Sequence, residues 1–239
     1  MKSISLALLA LCFTCAQAAV SVVDDSGKRV VLARPAQRVI SMAPHVTELV
    51  FAAGGGARIV GAMNYSDYPF EARMIPLIGS DSQIDLERVI ALRPDLLIVW
   101  QSGNTARQIA QLASLGIPVF HSEPRKLETV ATSLERFGRL LGTEKIAVPA
   151  AARLRAKVGS LRSRYGRRPP VSVFYQAWDN PLYTLNGEQI ASDAIRLCGG
   201  RNIFADLKTI APQVSVESVV QRDPEVILGG KLYTPQLTT

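Results

Sequence analysis

From Arg38 onward the apolar positions fall into two alternating rhythms. Continuous apolar runs at RVISMA (38–43), RIVGAM (58–63), DLLIVW (95–100) and IPVFHS (117–122) predict strands buried inside a sheet. Between them HVTELVFAAG (45–54), LERVIAL (86–92) and TARQIAQLASLG (105–116) space their apolar residues at the helical period, the first and third running into glycine stops. Strands and helices alternating at this interval imply parallel pairing through crossover helices, so residues 19–142 form an α/β lobe. Ahead of the first run, VSVVDDSGKRVVL (20–32) alternates around an Asp-Ser-Gly turn and predicts a short hairpin.

The helical stretches then lengthen. Residues 127–166 are rich in Ala, Leu, Arg and Lys, interrupted by Gly142 and Pro149 and closed by Gly166 and Pro169-Pro170. Their second part, 143–166, is long enough to run past one lobe and predicts a rigid connecting helix. Strands at VSVFYQ (171–176) and EVILGG (225–230), with a helix and its stop at GEQIASDAIRLCGG (187–200) and a helix at VESVVQR (216–222), make residues 167–239 a second α/β lobe. The two lobes share a phrase. DLERVIALRPDLLIVW (85–100) and SVESVVQRDPEVILGG (215–230) match at Glu87 and Glu217, Val89 and Val219, Pro94 and Pro224, and Asp95 and Glu225. After Trp100 the first lobe supplies a further helix, strand and helix, whereas only KLYTPQLTT comes after Gly230, so the C-terminal lobe reads as incomplete by about one βα unit and a closing helix. The expected architecture is α/β: two lobes with mainly parallel sheets joined by a long backbone helix, with a ligand cleft between them.

Composition changes this picture at the N-terminus. MKSISLALLALCFTCAQA has one lysine, an apolar run from Ile4 to Phe13 and Ala16-Gln17-Ala18 as a small-residue cleavage site, so residues 1–18 read as a signal peptide and the destination as the periplasm. That run is too short for a membrane span of about 20 residues. Cys15 as a lipid attachment site is poorly matched, because Cys12-Phe13-Thr14 before it is bulky. Removing the leader leaves Cys198 as the lone cysteine, which excludes an internal disulfide framework, and His45 and His121 are too few for the usual zinc cluster. The net charge is +7, one unit less without Lys2; many arginines fall between Arg153 and Arg168 on one predicted helix, which points to a solvated face rather than to nucleic acid.

No catalytic constellation lies on this frame. The chain lacks a G-x-S-x-G elbow, a G-x-x-x-x-G-K-[ST] loop and an H-E-x-x-H pair, and Gly54-Gly55-Gly56 comes after a helix, where it acts as a stop. The expectation is a binding protein and not an enzyme, with an exported α/β enzyme as the alternative of another class. Aromatic residues cluster instead where strands end: Tyr65 and Tyr68 in NYSDYP, Trp100, and Trp178 and Tyr183 in AWDNPLYTLNG. Open parallel sheets bind ligands beyond the carboxyl ends of their strands, which makes Tyr65, Trp100, Trp178 and Tyr183 candidates for a cleft wall. The alternative is that each covers the rim of its own lobe, and Tyr68 before Pro69 fits that well. Pro44 and His45 open the helix after the first strand and join the candidate ligand-binding set, a capping or surface role being the alternative for His45.

RVISMAPHVTELVFAAG, NYSDYP, DLERVIALRPDLLIVW, CGGRNIF and APQVSVESVVQRDPEVIL together resemble the periplasmic cobalamin-binding proteins of bacterial ABC importers, and more broadly the siderophore-, haem- and cobalamin-binding class with a helical backbone between lobes. The resemblance covers about Arg38 to Gly230. It implies a cleft ligand, a corrinoid such as cobalamin with haem as the runner-up, and docking of the loaded protein on a permease dimer, its only contact with the inner membrane. It implies aromatics against the corrinoid at Tyr65, Trp100 and Tyr183. It departs from the family's best-known members at Asp81 and Ala211, where they carry tryptophans, and Trp178 beside Ala177 offers a replacement ring. For haem, Tyr65, Tyr183 and His45 are the available iron ligands. Glu87 and Glu217 are implied to meet permease arginines, although a carboxylate near a helix start also has a structural reason in the helix dipole.

Overall fold

The computed structural model describes residues 19–80 and 83–229. The expected leader, Asp81 and the segment after Gly229, on which the reading of an incomplete C-terminal lobe rests, lie outside the described residues. The chain opens with an antiparallel hairpin, β1 (Val20–Val23) and β2 (Arg29–Leu32). Asp24 closes its turn: Oδ1 accepts from Ser26 N–H, Ser26 Oγ and Lys28 N–H, while Gly27 takes φ 82°.

The first large sheet contains β3 (Val39–Ser41), β4 (Ile59–Ala62), β5 (Leu96–Trp100) and β6 (Val119–Ser122), all parallel, in the order β4-β3-β5-β6. Its crossovers carry α1 (Pro44–Ala52), α2 (Leu86–Ala91) and α3 (Ala106–Ser114), and α4 (Leu127–Leu141) comes after β6. Strand alternation sorts the core. Val39, Leu96 and Ile98 face Val46, Phe137 and Ala147, whereas Ile40, Leu97 and Val99 face Val89, Ile109 and Leu112. Helices therefore cover both faces, which is why β5 is apolar throughout, while β3 and β6 turn polar only at their carboxyl ends, at Ser41 and at His121-Ser122.

Gly142 ends α4 in the left-handed conformation, φ 62°, and α5 (Glu144–Tyr165) starts at once. Pro149 lies inside α5 without breaking it. α5 packs along α4 and touches α1 and α6 (Ile190–Leu197), so it is common to both halves. The second sheet holds β7 (Val171–Gln176), β8 (Gly200–Asn202) and β9 (Val226–Gly229), parallel, in the order β8-β7-β9, with α7 (Val216–Gln221) before β9. Phe174, Ile203, Phe204 and Val219 form its core.

The shared phrase has a structural meaning. Its acid clamps the chain where it enters the first strand of each parallel sheet: Asp95 accepts from the N–H groups of Gln37 and Arg38, just before β3, at 2.8 and 2.9 Å, and Glu225 accepts from Ser172 N–H in β7 at 2.7 Å. Arg93 and Asp223, before the two prolines, both turn through left-handed φ, 46° and 42°. Two expectations need correction. The glycine stop of the helix read at 187–200 is also the start of a strand missed in the sequence, because Gly200 to Asn202 pair with β7 as β8. The run at 225–230 is not a buried strand like its twin: Val226, Ile227 and Leu228 are 38, 52 and 41% exposed, since β9 pairs only with β7 among the described residues whereas β5 lies inside its sheet.

Candidate functional site

In both sheets the chain starts in the middle and steps outward in opposite directions, leaving a crevice where the order reverses, between β3 and β5 in one and β7 and β9 in the other. The first crevice is built by the segment at the carboxyl end of each strand. β3 leads through Met42 and Ala43 to Pro44, which opens α1 with its fixed φ. β4 leads to Asn64 and to Tyr65, which takes φ 66° and is 85% exposed. The Tyr65 turn is tied to α1 by buried hydroxyls, Ser41 to Thr47 at 2.7 Å and Thr47 to Ser66 at 3.0 Å. β5 ends on Trp100, 37% exposed.

These segments enclose a cavity of about 200 Å³ lined by Met42, Pro44, Met63, Asn64, Tyr65, Ser80, Trp100 and Asn104, with Ala43 between. Its described lining carries no charge: two thioethers, two aromatics, two amides and a hydroxyl face one space. A larger groove of about 770 Å³ lies among α4, α5 and α6, with the ion pairs Arg125–Glu188 and Arg196–Asp193 across it. It is a junction between lobes, away from the strand ends.

Tyr65, Trp100 and Pro44 thus share one cavity. His45 does not line it: its ring stands edge-on to Trp100, 5.6 Å between centroids at 81°, with Nε2 buried and unpartnered. Burial holds the imidazole below its usual pKa, against the opposing pull of Glu123 and Asp25, so it is neutral at pH 7. Trp178 and Tyr183 lie beyond β7 on a small hairpin of their own. Tyr183 N–H donates to Trp178 C=O at 3.0 Å and Ala177 N–H to Tyr183 C=O at 2.8 Å, while the Trp178 ring is held by Nε1–H to Asn180 C=O. Neither residue lines the first cavity.

Glu87 and Glu217 occupy the first turns of α2 and α7 and are exposed. The side-chain caps are other residues, Asp85 to Arg88 N–H and Ser215 to Ser218 N–H. Glu217's own N–H and the Ser215 hydroxyl hold its carboxyl below the usual range. Met42, Met63, Asn64, Ser80 and Asn104 escaped the sequence reading. For Met42, Met63, Asn64 and Asn104 the signal was position alone, within a few residues of a strand's carboxyl end, and Ser80 lacked even that; none has a side chain that announces chemistry.

The model of one family, described as periplasmic binding protein, matches residues 39–237. The chain belongs to that family. It is 42% identical over 196 residues to a vitamin B12-binding protein of Yersinia pestis (strain Pestoides F), covering 82% of this chain and 70% of the relative. Its fold matches the periplasmic vitamin B12 binding protein BtuF of Vibrio cholerae with a TM-score of 0.80 at 36% identity, over 84% of this chain and 79% of that one. A periplasmic heme binding protein from Pseudomonas aeruginosa matches at 0.71 with 25% identity, over 82% and 73%. The molecule is therefore a two-lobed periplasmic substrate-binding protein of the ABC-importer type, a class of binders rather than enzymes.

Proposed function

We propose that this protein captures a corrinoid, cobalamin, in the cleft between its lobes and delivers it to an ABC importer permease. The observation that carries the ligand choice is the cavity at the β3–β5 crevice, whose described lining carries no charge. The rim of a corrin ring bears neutral carboxamides, which Asn64 and Ser80 can meet by hydrogen bonds while Tyr65 and Trp100 cover apolar ring surface. Haem would bring ionised propionates, which are costly to bury without cations, and its iron asks for a Tyr or His ligand. His45 turns its free nitrogen into the protein, so an iron ligand from this lobe would fall to Tyr65.

On this reading Tyr65, Trp100 and Pro44 form the wall of one lobe, and Trp178 and Tyr183 form that of the other. His45 backs Trp100. Glu87 and Glu217 present one carboxylate on each lobe to the arginines of a two-subunit permease. The leader at 1–18 takes the chain to the periplasm and is removed there.

Titration of the purified protein with cyanocobalamin and, separately, haemin tests the reading. Stoichiometric quenching of tryptophan emission by cyanocobalamin, with weaker or no saturable quenching by haemin, is expected. Tight haemin binding with an iron–tyrosinate band and no response to cyanocobalamin would overturn it.

A further inference from the structure

Between β5 and α3 the chain reads Trp100-Gln101-Ser102-Gly103-Asn104, a turn whose hydrogen bonds hold the Trp100 backbone and whose glycine lies against its indole. The Asn104 amide spans the crevice. Its Oδ1 accepts from Trp100 N–H at 2.6 Å and its Nδ2–H donates to Met42 C=O at 2.8 Å, so one side chain joins the ends of β5 and β3. The N–H groups of Gly103 and Asn104 return to Trp100 C=O at 3.3 and 3.0 Å. The indole rests on Gly103. A Cβ there would sit 1.9 Å from Trp100 Cε3 and 2.3 Å from Cδ2, far inside contact, so only glycine leaves the ring in this position. The turn is held from behind as well. Ser102 N–H and Oγ donate to Glu123 at 2.9 and 3.1 Å, Glu123 N–H donates to Asp25 at 2.6 Å, and Asp25 pairs with Arg136 on α4.

We infer that Gly103 and Asn104 are positioning residues which fix the Trp100 ring before ligand arrives, so that binding meets a preformed wall. A ring already held in its bound place loses little rotamer freedom on binding, and that saving appears as affinity. The inference rests on the cleft being the ligand site, but its first measurement does not.

That measurement is near-ultraviolet circular dichroism of the ligand-free protein, with Trp100→Ala subtracted to isolate the Trp100 band from that of Trp178. Gly103→Ala and Asn104→Ala should each weaken or invert this band while far-ultraviolet spectra stay unchanged. Cyanocobalamin titration then reads the consequence: about tenfold weaker binding for Gly103→Ala in the native background, and less than about twofold further loss in the Trp100→Ala background. An unaltered Trp100 band in both variants, or a tenfold loss that persists without Trp100, would overturn the inference. Should the native protein ignore cyanocobalamin, the proposed ligand fails while the dichroism still decides whether Gly103 and Asn104 hold the ring. Should Gly103→Ala misfold, Asn104→Ala carries the same two readouts.

Discussion

Trp100 and Phe137 are both large aromatics, yet one is 37% exposed at a strand end and the other fully buried against Phe120, 5.2 Å away. Trp100→Ala is therefore expected to weaken cyanocobalamin binding by about 1–3 kcal/mol with little change in melting temperature. Phe137→Ala should cost about 3–5 kcal/mol of stability. Denaturant melts beside ligand titration separate the two. A second residue-scale expectation concerns acid. Burial holds the His45 pKa below its value in the unfolded chain, so below about pH 6.5 the unfolded state takes up the proton first. Stability present above that pH should fall as pH drops toward the folded-state pKa. His121 is also held low, first by burial, and contributes with the same sign. His45→Phe should flatten part of the loss below about pH 6.5 and leave the His121 part, as urea midpoints across pH would reveal.

At the scale of elements, the lobes are pinned where α4 begins. The Asp193 carboxylate on α6 accepts from Leu127 N–H at 2.9 Å, capping a helix of the other lobe. Burial raises its pKa, but the bonds from Leu127 and Arg196 outweigh that and hold it below the usual range. This contribution is present above about pH 4 and lost as pH falls through the lower folded-state value. Asp193→Ala should cost about 1 kcal/mol, the size of a lost cap, and increase hydrogen exchange at the start of α4. The neighbouring Arg125–Glu188 pair is exposed, and its removal should change stability by less than about 1 kcal/mol. Elements with a strong local period, such as α4 and β5, were legible in the sequence because their own apolar pattern demanded burial. β8 was not, since Gly200-Arg201-Asn202 has no strand pattern and is extended only because β7 offers it a ladder.

At the scale of the molecule, the proposed docking role puts Glu87 and Glu217 on matching helices of the two lobes. Reversing both, Glu87→Lys with Glu217→Lys, should leave cyanocobalamin affinity within about twofold but abolish capture by a cobalamin permease in liposomes, since reversed charges against arginine cost several kcal/mol. The caps at Asp85 and Ser215 remain in that variant, so the helices should survive. Retained capture would end the docking role.

The sequence by itself determined the alternation of strands and helices, the long helix between two related halves and the strand ends on which Tyr65, Trp100, Trp178 and Tyr183 lie, because periodicity and glycine or proline stops are local properties. It could not tell β5 from β9, twins in pattern, since burial depends on what pairs and packs from elsewhere in the chain. Nor could it tell Pro44, which lines the cavity, from His45 beside it, which turns behind Trp100. Asn104 had no local mark at all: its amide matters because folding brings Met42, 62 residues earlier, within 2.8 Å of it.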